Sequence, residues 1–133
     1  MTRVRGRAAA VAAVLAAGLL LAACGGGGDG DDDKAYVEPQ GPASETISID
    51  AKNFSFTPDD IIAEPGIAKI ELVGEGGVHD LVFDDGAYSG FRLDVSGSET
   101  DSKKIDLERG KFIFYCSLPG HRAAGMEGTL RVR

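Results

Sequence analysis

From Ser44 onward, apolar side chains recur at alternate positions in short runs, and no stretch keeps the three-to-four-residue apolar period of a helix. Ile47, Ile49 and Ala51 alternate, as do Phe54 and Phe56. Further runs cover Ile61-Ile62, Ile67 to Val73, Val78 to Phe83, Phe91 to Val95, Ile105 to Leu107, Phe112 to Cys116 and Thr129 to Val132. Between them stand the turn sequences Thr57-Pro58-Asp59-Asp60, Glu64-Pro65-Gly66, Asp84-Asp85-Gly86 and Glu108-Arg109-Gly110. Ser96 to Ser102 is polar and reads as a surface loop. The pattern predicts an all-β domain of seven to eight strands, an antiparallel Greek-key β-sandwich or barrel of about 90 residues.

The first forty residues follow a different rule. Arg3, Arg5 and Arg7 precede the apolar run Ala8 to Leu21, which is too short to span a bilayer comfortably and ends in Leu21-Ala22-Ala23-Cys24. This is the layout of an export signal, and the last four residues resemble the bacterial lipoprotein box. That resemblance implies cleavage before Cys24, acylation of Cys24 and attachment to a membrane face. The alternatives are ordinary secretion with Cys24 as a thiol, or a Cys24–Cys116 disulfide. Gly25 to Ala43 is rich in Gly, Asp and Pro with little to bury, as in a flexible tether. The expected organisation is a signal over 1–23, a lipidated Cys and tether over 24–43, and a folded domain over 44–133.

The chain carries a net charge of −7, and losing the three signal arginines takes it to −10. Such a surface argues against a nucleic-acid partner. Composition also narrows the chemistry, since the whole chain has two Cys, two His and two Met. With Met1 and Cys24 set aside, the mature domain keeps His79, Cys116, His121 and Met126. Three of these lie in Phe114–Gly128, FYCSLPGHRAAGMEG, with four residues between Cys116 and His121 and four between His121 and Met126.

Alternation puts Phe112, Phe114 and Cys116 on one strand face, and the two Phe make that the core face. Cys116 is then the last inward residue at the sandwich rim, either a protonated core thiol or a metal ligand. With His79 at the start of another strand, the set becomes two imidazoles, a thiolate and a thioether. That is the donor set of blue-copper centres, a His₂Cys plane with a weak axial Met, and it suits copper better than zinc.

"YCSLPGHRAAGMEGTLRV" resembles the ligand loop and final strand of the cupredoxins, the plastocyanin, azurin and auracyanin group, and "VHDLVFDD" resembles their upstream His segment. The combination of spacings is most like auracyanin. The resemblance covers roughly Glu45 to Arg133 and implies one type 1 copper held by His79, Cys116, His121 and Met126. It also implies a monomeric extracytoplasmic electron carrier with redox-protein partners. Leu118, Pro119, Gly120, Ala123 and Ala124 would form an apolar docking rim about His121, Arg122 could steer an acidic partner, and Tyr115 could lie on a second electron route. Two positions depart from the pattern. Asp80 stands where the family commonly has Asn, as a group that could accept from Ser117. Val78 stands where azurins have Gly, which favours a four-coordinate site.

Two His cannot build the further copper sites of multicopper oxidases or nitrite reductases, nor a Ser-His-Asp arrangement. An enzyme is therefore not expected. The rival reading is a lipoprotein that captures, stores or delivers copper.

Overall fold

A computed structural model describes residues 35–84 and 86–133; the expected signal over 1–23, Cys24 and the Gly/Asp-rich stretch through residue 34 lie outside the described residues. Among the described residues nine strands follow in order: β1 (Glu45–Lys52), β2 (Ser55–Thr57), β3 (Asp60–Ala63), β4 (Gly66–Gly74), β5 (Val78–Phe83), β6 (Arg92–Ser96), β7 (Thr100–Leu107), β8 (Gly110–Tyr115) and β9 (Glu127–Val132). This is one strand more than expected, because each of the short runs at Phe56 and Ile61 pairs as its own strand.

Two sheets form, ordered β2-β1-β4-β7 and β3-β9-β8-β5-β6. Inward positions follow the alternation: Ile47, Ile49 and Ala51 on β1, Ile70 and Leu72 on β4, Leu93 and Val95 on β6, Phe112 and Phe114 on β8, and Leu130 and Val132 on β9 are all buried. The expected antiparallel pairing holds for most neighbours, but β1 pairs with β4 and β3 with β9 in parallel. Side-chain alternation is blind to strand direction, and crossing from one sheet to the other lets these strands run side by side.

Three local expectations change. Phe54 is not a strand residue: it sits with Asn53 in the β1–β2 turn, both at positive φ (60° and 46°), and only Phe56 enters the core. Thr100 to Ser102 belong to β7, opposite Val73, Leu72 and Glu71 of β4, so the loop after β6 shrinks to residues 97–99. These strand residues are polar because β7 is the outer strand of its sheet, where polar side chains blunt an exposed edge.

The third change concerns the tether. Residues 36–43 are tied to the domain: the Tyr36 hydroxyl donates to the Lys104 carbonyl (2.9 Å), the Glu38 carboxylate accepts the Lys104 N–H (2.9 Å), and Lys104 Nζ donates to the Gly41 carbonyl (2.9 Å). The Tyr36 ring meets Phe91 edge-on at 5.1 Å. Since Phe91 precedes β6 and Lys104 lies on β7, this segment covers the seam where the outer strands of the two sheets meet. Burial, followed by the nearby Glu38 charge, pushes the Tyr36 hydroxyl from its ordinary 10 up to about 12. A raised value favours the neutral phenol, so this contribution is present below pH 10 and is lost as pH rises toward 12. Tyr36→Phe should cost about 1 kcal/mol at neutral pH and flatten the stability loss between pH 10 and 12, checked by denaturant unfolding across that range.

Candidate metal centre

Chain segments from several strand ends meet at one end of the sandwich. Val78 opens β5 and places His79 beside it; β8 ends at Tyr115 and delivers Cys116; the loop to β9 carries His121 and, immediately before Glu127, Met126. A single 3-10 turn, Arg122–Ala124, follows His121, and Gly125 stops it in the left-handed region (φ 103°). That reversal returns Met126 to the start of the loop, where its N–H donates to the His121 carbonyl and its carbonyl accepts the Cys116 N–H, both at 3.1 Å.

The side chains of His79, Cys116 and His121 converge. Cys116 and Met126 are fully buried, His79 is buried and His121 is half-buried. His121 Nδ1 lies 3.3 Å from Cys116 Sγ and 3.3 Å from His79 Nδ1, and the ligand atoms of all three residues fall within 4.8 Å of one another. His79 Nε2 faces the Gly76 carbonyl at 3.1 Å. A carbonyl can only accept, so Nε2 carries the proton and Nδ1 turns a lone pair toward the other two ligands.

Burial also lowers the pKa of His79, keeping the imidazole neutral as a ligand must be. Burial raises that of Cys116, while the N–H groups of Asp80 and Leu118 act in the opposite sense by donating to the sulfur. A lone pair on each of two imidazoles and a buried sulfur, turned toward one another, calls for a proton or a cation between them. The soft sulfur donors fit copper.

Asp80 and Ser117 tie the two ligand segments together. The Asp80 N–H donates to Cys116 Sγ (3.5 Å), and the Asp80 carboxylate accepts the Ser117 N–H (2.5 Å) and the Ser117 hydroxyl.

A model of the copper-binding plastocyanin/azurin family matches residues 43–133. The chain belongs to that family. Copper is accordingly its cofactor, with His79, Cys116, His121 and Met126 placed as a type 1 ligand set. Solved cupredoxins share the fold at low identity. Auracyanin B is 17% identical over 72% of this chain and 94% of its own, with a TM-score of 0.61. Auracyanin A, a "blue" copper protein from Chloroflexus aurantiacus, is 16% identical over 66% and 98%, with a TM-score of 0.55. A proline-to-phenylalanine variant of amicyanin in its reduced state gives 16%, 66% and 82%, and 0.53. No curated protein sequence matches this cupredoxin.

Of the residues expected to form a rim about His121, Leu118 is half-buried and Pro119, Gly120, Ala123 and Ala124 are exposed. Sequence reading missed two further members. Phe54 is 48% exposed and meets the His121 ring edge-on at 4.8 Å, and Val78 is 57% exposed. The one signal for Phe54 was its Asn53 neighbour, a residue that tolerates the left-handed region. Arg122 is engaged within the domain. Its guanidinium bonds Asp84 (2.7 Å) and Glu127 (3.0 Å) and stacks 4.0 Å over the Tyr115 ring, clamping the ligand loop to β8, β9 and the end of β5. Tyr115 is half-buried.

Proposed function

We propose that this cupredoxin is an extracytoplasmic one-electron carrier, exported by its N-terminal signal and held at a bacterial membrane face through acylated Cys24. The single observation that carries the electron-transfer reading is the unequal burial of one ligand set: Cys116, Met126 and His79 are enclosed, whereas His121 alone reaches toward the surface, amid apolar groups. Copper held there would supply a one-electron Cu(I)/Cu(II) couple. The protein supplies constraint. The Cys116–Met126 and Met126–His121 backbone bonds, the 3-10 turn and the Arg122 clamp hold the loop in one shape. A loop so held resists the ligand rearrangement that would slow electron exchange.

His121 is the natural point of electron entry and exit, with Phe54, Val78, Leu118 and Pro119 as the surface that a redox protein would cover. The lipoprotein reading rests on Leu21-Ala22-Ala23-Cys24, and among the described residues no helix is long and apolar enough to cross a membrane.

Cyclic voltammetry of the protein loaded with one copper should give a single reversible wave. Loss of the metal on reduction would instead favour copper capture and delivery. Phe54→Ala should leave the potential nearly unchanged and slow electron exchange with a protein partner several-fold, since it strips apolar area from the contact; stopped-flow mixing checks this.

A further inference from the structure

Asp80 is 1% exposed and sits between His79 and the Cys116–Ser117 segment. A carboxylate so enclosed requires a counter-charge, or its burial outweighs the hydrogen bonds it makes. The counter-charge comes from β6. Val82 on β5 faces Arg92, and the Arg92 guanidinium reaches back along the strand pair to Asp80 Oδ2 at 2.7 Å. The same guanidinium approaches Ser117 Oγ at 3.5 Å, while its Nε donates to Asp94 at 2.9 Å and so is held in line. The Arg92 carbonyl in turn accepts from Lys103 Nζ on β7. A chain of charge thus runs Asp94–Arg92–Asp80 and ends on the residues that flank the buried ligands.

We propose that Arg92 is a positioning residue for the copper centre: it supplies the charge that lets an aspartate tie the two ligand segments together, and it offsets the field of that aspartate at the metal. The proposal rests on the copper reading above. Its electrostatic sense is definite. A negative charge beside the centre favours Cu(II) over Cu(I) and lowers the potential, and a positive charge does the reverse. With Arg92 in place the two fields largely cancel. Without it, Asp80 acts alone and loses the partner that holds its carboxylate against Ser117.

Arg92→Gln should therefore shift the ratio of Cu(II) to Cu(I) affinity about tenfold toward Cu(II), read as a lower potential. Arg92→Lys, which keeps the charge but not the fork, should restore most of the shift. In an Asp80→Asn background Arg92→Gln should produce a smaller shift, because only the direct field of Arg92 is then lost and no carboxylate remains for it to hold in place. A second readout needs no metal: the thermal midpoint of the copper-free protein should fall in Arg92→Gln and recover in part in Asp80→Asn/Arg92→Gln. An unchanged potential in copper-loaded Arg92→Gln overturns the proposal and leaves the copper reading intact, as do strictly additive effects in the double variant. A wild-type protein that takes up no copper overturns both.

Discussion

Cys116→Ser should abolish the intense visible absorption of the copper-loaded protein and weaken its hold on Cu(I) by at least about a hundredfold. The thiolate is the one ligand whose charge and softness the site cannot replace, because the remaining donors are two neutral imidazoles and a thioether. The substitution is close to isosteric, so the backbone around it should survive: the Cys116 N–H still reaches the Met126 carbonyl, and a serine oxygen can accept the Asp80 N–H in place of sulfur. The copper-free variant should accordingly melt within a few degrees of wild type, equivalent to about 1 kcal/mol or less. Loss of colour with that melting point retained separates a ligand from a packing residue. A variant that keeps its colour would show that the sulfur does not bind the metal.

The second large effect lies outside the ligands. Gly128 stands two residues after Met126 and pairs with Phe114, two residues before Cys116. A Cβ at Gly128 would fall 2.3 Å from Phe114 Cζ and 2.7 Å from the Asp59 carbonyl oxygen. Phe114 is buried against Phe56 at 5.4 Å and cannot step aside, and the carbonyl belongs to backbone that receives the Thr129 N–H at 2.7 Å. Gly128→Ala should therefore cost about 3 kcal/mol and lower the melting temperature by roughly 15 °C. Shortening the facing ring should relieve part of this, so Phe114→Leu in the Gly128→Ala background should cost less than Phe114→Leu alone. An unchanged melting point in Gly128→Ala would mean that the ring and strand do not meet so closely.

Much of the site is legible in the sequence because its chemistry is local. Alternation through Phe112, Phe114 and Cys116 turns the sulfur inward without knowledge of the other strands, and the fixed spacing to His121 and Met126 follows from one loop. What resists reading depends on distant parts of the chain. The parallel pairing of β1 with β4 leaves no trace in either strand's pattern. Lys104 meets Tyr36 and Glu38 across more than sixty residues of chain, which makes a strap of residues whose composition reads as a tether. Arg92 looks like an ordinary outward charge at a strand start, and only the β5–β6 register brings it to Asp80. Phe54 misleads because the spacing Phe54–Phe56 imitates a strand, whereas the backbone reverses at Asn53 and turns the first ring out over His121.

Titrating the protein with Cu(II) while recording its visible spectrum measures whether His79, Cys116, His121 and Met126 together hold one redox-active copper. An intense thiolate-to-copper band is expected that saturates at one copper per chain, bleaches on adding ascorbate and returns on reoxidation; a colourless complex, or a band that does not return, would show that they do not.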